Sequence, residues 1–223
     1  METKNEIQKT HMETRKVTST RKKTLRKTTI PFARLYNNLD GFKANTMNLP
    51  DHKTTYGEVL PESVPILFEI FQKHAPLSKI TMAHKNFYDL GCGIGKIVVG
   101  FTYLNQYIKT TGFEIVPERV QMANEALSRI RENHIKSRIE FYCISMFDST
   151  INFSNACWIW VSNLMFTKEM NTELFNKFAK ETKKGCLVVC SQKPETSHFT
   201  YLNEYTLPMS WSQSSKVYVF IKN

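Results

Sequence analysis

From residue 86 onward, short apolar runs alternate with longer segments whose apolar positions recur every three or four residues. The short runs predict strands and the longer segments predict amphipathic helices. Strands are expected over residues 87–90, 111–114, 138–144, 156–162 and 186–191. Helices are expected over 96–107, from Pro117 to about His134, and over 168–182, where Met170, Leu174, Phe175 and Phe178 repeat at helical spacing. Pro117 occupies the first helical position, where its missing N–H costs nothing. The run Ala156-Cys-Trp-Ile-Trp-Val161 has no polar face and predicts a strand buried on both sides. Strict strand and helix alternation implies a mostly parallel, doubly wound sheet. Residues 201–221 carry two β-rich runs with no helix between them, so a C-terminal antiparallel hairpin completes a seven-stranded α/β sheet.

Upstream, residues 60–74 open with Pro61 and Glu62 and place Val64, Leu67, Phe68 and Phe71 on one helical face. Residues 31–55 mix the aromatic anchors Phe32, Tyr36 and Phe42 with Asn, Gly and Pro, as expected of loops and short helices lying on a domain. The chain therefore divides into an arm (1–30), a loop and helix segment covering the site (31–85) and a Rossmann-like core (86–223). The arm holds nine Lys or Arg against three Glu, and so carries most of the net charge of +10. Nearly empty of large apolar side chains, it cannot offset its conformational entropy and is expected to be disordered.

A basic chain favours an acidic partner, and the arm has the chemistry to contact DNA or the acidic face of a nucleosome. The clusters Arg21-Lys22-Lys23 and Arg26-Lys27 fit a nuclear address. The amino terminus has no apolar leader and no run approaches 18 apolar residues, so an intracellular protein without a membrane span is expected. Five cysteines without metal spacing read as reduced packing residues. Six histidines form no ligand pattern, so no metal is expected and they read as surface residues.

The most informative chemistry lies in Asp89-Leu-Gly91-Cys-Gly93-Ile-Gly95. An acid ends the first strand, and three glycines let the backbone turn sharply and approach a ligand closely. The spacing G-x-G-x-G differs from the G-x-G-x-x-G of dinucleotide binders. An acid just before the loop suits the ammonium group of S-adenosylmethionine and is poorly placed beside a pyrophosphate. Glu114, about twenty residues past the loop, stands where a carboxylate accepts from ribose hydroxyls. Together these features predict a class I S-adenosylmethionine-dependent methyltransferase. At the third strand exit, either Ser145 with Met146, or Asp148, faces the adenine.

Several further motifs resemble the disruptor-of-telomeric-silencing family, the non-SET methyltransferases of a lysine in the folded core of histone H3. They are Tyr36-Asn37, Tyr56-Gly57-Glu58, Gly112-Phe113-Glu114, Val161-Ser-Asn163-Leu-Met-Phe166, Ser210-Trp211-Ser212 and Val217-Tyr218. The resemblance covers roughly residues 35–221. It implies that Tyr56 and Glu58 lie over the cofactor, that Asp89, Gly91 and Glu114 hold it, and that Asn163 forms the catalytic floor. It also implies that Trp211 and Tyr218 line a lysine channel; on strand alternation alone, Tyr218 fits core packing equally well. The chain departs from the family at Ser162, Leu164 and Met165, where the family has Asn, Phe and Ala, and at Val59, where Thr is usual. The partner the resemblance implies is a histone or nucleosome. Other acceptors remain open: another protein, a small molecule or RNA, or a degenerate chromatin-binding module. The segment after the fourth strand lacks the N/D-P-P-Y/F signature of nucleic-acid amino-methylating enzymes, which weighs against RNA.

Overall fold

The computed structural model describes residues 31–47, 49, 55–81 and 85–223. The basic arm expected over residues 1–30 lies outside them. In chain order the described elements are α1 (Ser63–His74), β1 (Asn86–Leu90), α2 (Lys96–Leu104), β2 (Lys109–Glu114), α3 (Pro117–Ser128) and α4 (Asn133–Lys136). They continue with β3 (Ile139–Cys143), β4 (Ala156–Val161), α5 (Lys168–Glu181), β5 (Leu187–Cys190), β6 (Phe199–Met209) and β7 (Ser212–Lys222). The seven strands form one sheet in the order β3-β2-β1-β4-β5-β7-β6. The first five are parallel, and β7 runs antiparallel to both β5 and β6. This is the class I methyltransferase arrangement that the alternating pattern predicts.

The sheet is packed on both faces, which explains why β4 is apolar at every position. Trp158 and Trp160 face α1 and α2, where Phe71 stacks on Trp158 with ring centroids 5.1 Å apart. The Trp158 indole N–H also donates to the carbonyl of Ala75 (3.0 Å), so the ring is buried without an orphaned donor. Ile159 and Val161 face the other way, onto Leu174, Phe175 and Phe178 of α5. Phe32 and Tyr36, in the turns before α1, are buried in the first cluster and bind the N-terminal segment to the domain. Phe42 is exposed and meets Tyr56 edge-on.

Three expectations are corrected. The helix beginning at Pro117 stops at Ser128, and Asn133–Lys136 forms a separate turn. Ile130 and Ile135 are both buried. Five residues apart, they would point about 140° away from each other on one helix, so the chain breaks to bury both. Arg129 at the break donates to the carbonyls of Leu35 and Asn37 (2.6 and 2.8 Å). His74, expected on the surface, is half-buried with Nε2 2.8 Å from the Tyr205 hydroxyl. Of the five free cysteines, Cys143 is exposed while the other four are packed in the interior. Among the described residues no helix is long and apolar enough to cross a membrane.

Candidate active site

Strand order reverses between β1 and β4, so the loops leaving these neighbours diverge and open a crevice at the carboxyl edge of the sheet. The cavity there measures about 320 Å³ and is walled by the exits of β1 to β4, residues 55–57 and the tip of the β6–β7 hairpin. Gly91, Glu114, Ser145 and Met146 line it. Asp148 does not; its carboxylate accepts from the backbone and hydroxyl of Thr150 (2.8 and 2.6 Å). Of the alternatives at the third strand exit, Ser145 and Met146 are the ones that line this cavity.

Two acids lie beneath the glycine loop. Glu114 is buried, and its carboxylate accepts from the N–H groups of Gly93 (3.0 Å), Ile115 (2.8 Å) and Val116 (3.0 Å). It thus ties the loop to the exit of β2 while facing the cleft. Asp89 is 1% exposed, and its Oδ2 has no hydrogen-bond partner among the described residues. Burial, with the Glu114 charge adding to it, holds the Asp89 carboxyl well above the ordinary carboxylate range. Asp89 opens on a small side cavity shared with Tyr56, Glu58, Lys96 and Ser162. A buried acceptor lacking a donor, next to a glycine loop, fits the ammonium group of S-adenosylmethionine, and the larger cavity fits its adenosine.

Tyr56 and Glu58 form the lid over this floor. The Tyr56 hydroxyl donates to Glu58 Oε1 (2.6 Å), and Glu58 Oε2 pairs with Lys96. Burial, then the Glu58 charge, raises the Tyr56 pKa far enough that the side chain stays a neutral phenol. Its ring rests on Gly93, where a Cβ would stand 2.5 Å from the ring and where φ is +54°. Both conditions require glycine. Gly95, the third loop glycine, lies deeper and opens α2 against Phe141, so its role is packing.

The mouth is built by a long-range clasp. Ser210 donates its N–H to the carbonyl of Glu58 and accepts the Glu58 N–H on Oγ, both at 2.9 Å, and Val59 bridges Met209. Trp211 thereby lies flat against Gly57, in the space a Cβ would fill. Its ring is 39% exposed and lines the cleft with Leu164 and Met165, which are also exposed.

Asn163, expected at the catalytic floor, is turned away from the cleft. It is fully buried, with Nδ2 donating to Asn171 Oδ1 (2.5 Å) and to the carbonyl of Gln192 (3.1 Å), and Oδ1 accepting the Gln192 N–H (2.8 Å). The preceding residue, Ser162, faces the cavities instead. Tyr218 also lies outside the cleft lining, half-buried against the cluster beneath α5. We expect Asn163→Ala to destabilise the protein by about 2–3 kcal/mol, because it strands the amide partners Asn171 and Gln192. Cofactor affinity should stay within about threefold of wild type. Denaturant unfolding and calorimetry check this, and unchanged stability with lost cofactor binding would return Asn163 to the site.

Three polar side chains stand out among the site residues that had not been expected. Ser162 is one, and Lys96, the partner of Glu58, is another. The third is Arg119, 4% exposed, whose guanidinium lies 4.0 Å over the Tyr56 ring and donates from Nε to the carbonyl of Gly41 (3.2 Å). Burial lowers its pKa. A signal for Arg119 exists: a cation in the first turn of a helix opposes the helix dipole, and such a conflict marks a residue held for another purpose.

The family described as "Histone methylation protein DOT1" matches residues 43–217. The chain belongs to the DOT1 family. The DOT1 match contains Tyr56, Glu58, Asp89, Glu114, Asn163 and Trp211, and it ends one residue before Tyr218. A protein-lysine N-methyltransferase of Saccharolobus islandicus is 32% identical over 102 residues, a stretch that makes up 46% of this chain and 58% of the relative. The chain thus matches little more than half of that relative's length. Among solved structures, magnesium protoporphyrin IX methyltransferase from Synechocystis with bound SAM aligns at a TM-score of 0.55. It is 11% identical, over 87% of this chain and 97% of that one. Geranyl diphosphate C-methyltransferase from Streptomyces coelicolor aligns at 0.51 with 13% identity, over 70% and 74%. At these identities the two structures speak for the fold of this DOT1-family chain, not for its acceptor.

Proposed function

We propose that this DOT1-family protein transfers a methyl group from S-adenosylmethionine to the side-chain amine of a lysine in a folded protein. The acceptor we favour is a lysine in the core of histone H3 on nucleosomes, which implies a nuclear setting. The observation that carries the reading is the pairing of an acidic cofactor floor with an apolar, partly exposed mouth formed by Leu164, Met165 and Trp211. Family membership supports methylation of a histone, and the name of the archaeal relative supports lysine as the acceptor.

S-adenosylmethionine, when bound, supplies an electrophilic methyl on a sulfonium. Asp89 and the Gly91 turn would hold its amino-acid end, Glu114 its ribose, and Ser145 with Met146 its adenine. The protein's remaining task is to present a neutral amine. A free lysine, with a pKa of about 10.4, is mostly protonated at neutral pH. Apolar walls disfavour the ammonium form and lower that pKa. Alignment of amine and methyl within the cleft then supplies much of the acceleration. The Tyr56 phenol, neutral at physiological pH like any tyrosine and pushed further from ionisation by burial, contributes a hydrogen bond and no charge.

Labelled S-adenosylmethionine offered with nucleosomes, free histones, RNA and whole lysate tests this reading, with Gly93→Arg as the inactive control. Label on histone H3 is the expected result. Label on RNA alone overturns the proposal. Label only on other lysate proteins would leave lysine transfer standing and remove the histone.

A further inference from the structure

Charge in the domain is sorted between its two ends. At the carboxyl edge of the parallel strands, the acids Glu58, Asp89 and Glu114 line the cleft, and the cations there are engaged, Lys96 with Glu58 and Arg119 over the Tyr56 ring. The opposite edge, where the parallel strands begin, carries a cation beside every strand except β4, which Asn155 precedes. Lys85 precedes β1, Lys109 opens β2, Lys136 and Arg138 lead into β3, Lys184 precedes β5, and Lys222 ends the antiparallel β7.

The Arg138 guanidinium is spent on the carbonyls of His134, Asn105, Ile108 and Thr102, and Lys136 donates to the carbonyl of Ser128, so the row is led by Lys85, Lys109, Lys184 and Lys222. The Lys109 N–H donates to the carbonyl of Lys85 (2.9 Å), and the Thr110 N–H donates to the carbonyl of Arg138 (2.9 Å). Gly185 donates to the carbonyl of Lys222 (2.9 Å), which brings Lys184 beside the end of β7. With neighbouring strands about 4.8 Å apart, the row from β3 to β7 is roughly 24 Å long. Lys109 and Lys184 are exposed, and Lys85 lies 5.2 Å over the ring of Tyr107, itself half-exposed. Among the described residues the acids near this edge are Glu132, Glu140 in the second position of β3, and Glu181, which is already engaged by Lys177 (2.7 Å) and by the Phe153 N–H (3.1 Å).

Residues 31–223 hold 21 Lys or Arg and 17 Asp or Glu. Spread evenly, that surplus would leave a nearly neutral surface. Sorted as it is, it produces a strongly cationic pole facing away from the cleft. We propose that this pole is a second binding surface, for the phosphate backbone of double-stranded nucleic acid. A duplex carries one charge per about 1.7 Å of axis, and a straight row of lysines on a sheet edge meets such a linear polyanion along its length, releasing counterions. An anionic membrane is a plane, and its binding is strengthened by bulky apolar insertion that a lysine row does not offer. This surface is separate from the cleft, and it stands whatever the cleft methylates.

The test uses the full chain, a fluorescent 30-base-pair duplex and anisotropy between 50 and 200 mM NaCl. The triple variant Lys85→Glu, Lys109→Glu, Lys184→Glu is expected to bind at least about tenfold more weakly at the low-salt end. Its log affinity against log salt slope should be shallower by about 2–3, since each phosphate contact contributes roughly 0.9. Unchanged melting temperature and cofactor affinity show that the fold is intact. The milder Lys→Gln triple variant should fall in between, and it decides the matter if charge reversal prevents folding. Wild-type affinity and slope in the variants overturn the proposal. So does loss of duplex binding only on deleting residues 1–30, or loss of binding to phosphatidylserine vesicles with duplex binding retained.

Discussion

Asp89→Asn is expected to abolish cofactor binding while making the apoprotein more stable. Both effects come from the same oxygen. Oδ2 is buried without a donor, so the ionised carboxylate is tolerated poorly by the fold alone and well once a cation lies against it. The sign of the pH dependence follows. A carboxyl whose folded pKa is raised stabilises the fold below the ordinary carboxylate range, and that contribution is lost as pH rises through the raised value. The wild-type apoprotein should therefore lose stability across that window and the Asn variant should not. At pH 8 the variant is expected to be more stable by about 1–3 kcal/mol, because the amide is as hard to satisfy there as the carboxyl but carries no charge to bury. Binding of S-adenosylmethionine to the wild type should release a proton below the raised pKa. Calorimetric enthalpies in buffers of different ionisation heat would reveal it. Thermal unfolding between pH 5 and 8 measures the stability half of the expectation. An Asn variant that is less stable at pH 8, or that still binds the cofactor at wild-type affinity, would falsify this account of the acid.

At the mouth of the cleft, Gly57→Ala and Trp211→Ala are expected to have equivalent consequences. The alanine methyl at 57 occupies the space of the indole, and so displaces the wall that the second variant deletes. Each should lower kcat/KM for the methyl acceptor, on the order of a hundredfold if displacement reaches about 1 Å at the acceptor side. Cofactor affinity should change much less, since Asp89 and Glu114 are untouched. Because both changes remove one contact, the double variant should be no worse than Trp211→Ala alone. Steady-state methyl transfer on the four proteins completes the cycle. Multiplicative losses would mean that Gly57 and Trp211 act separately, which the geometry does not allow.

The contrast between these two regions tracks what a sequence can express. Asp89, the glycines and Glu114 were legible because strand, turn and acid are close in the chain and each is dictated locally. The alternation of β and α fixed the sheet for the same reason. Asn163 and Ser162 show the limit. Both are polar residues directly after a buried strand, and which one faces the cleft depends on how the chain turns as it leaves β4. Only the partners Asn171 and Gln192, on α5 and after β5, reveal that Asn163 is taken. The end of α3 at Ser128 was likewise invisible to periodicity, because two buried isoleucines impose it from tertiary packing. Arg119 left a weak local trace, but its place over Tyr56 depends on a segment far upstream.

The bond between Glu58 and Ser210 joins residues 152 positions apart. Gly91, Glu114, Ser145 and Met146, which line the cavity, all precede β4, whereas Trp211 at its mouth needs the hairpin tip that follows β6. During synthesis the chain therefore passes through a stage in which the floor of the cleft exists and its mouth does not. Long-range closure of this kind comes late in folding. The clasp is thus the last part of the cleft to close, and it sets Trp211 against Gly57 only after the sheet beneath it is in place.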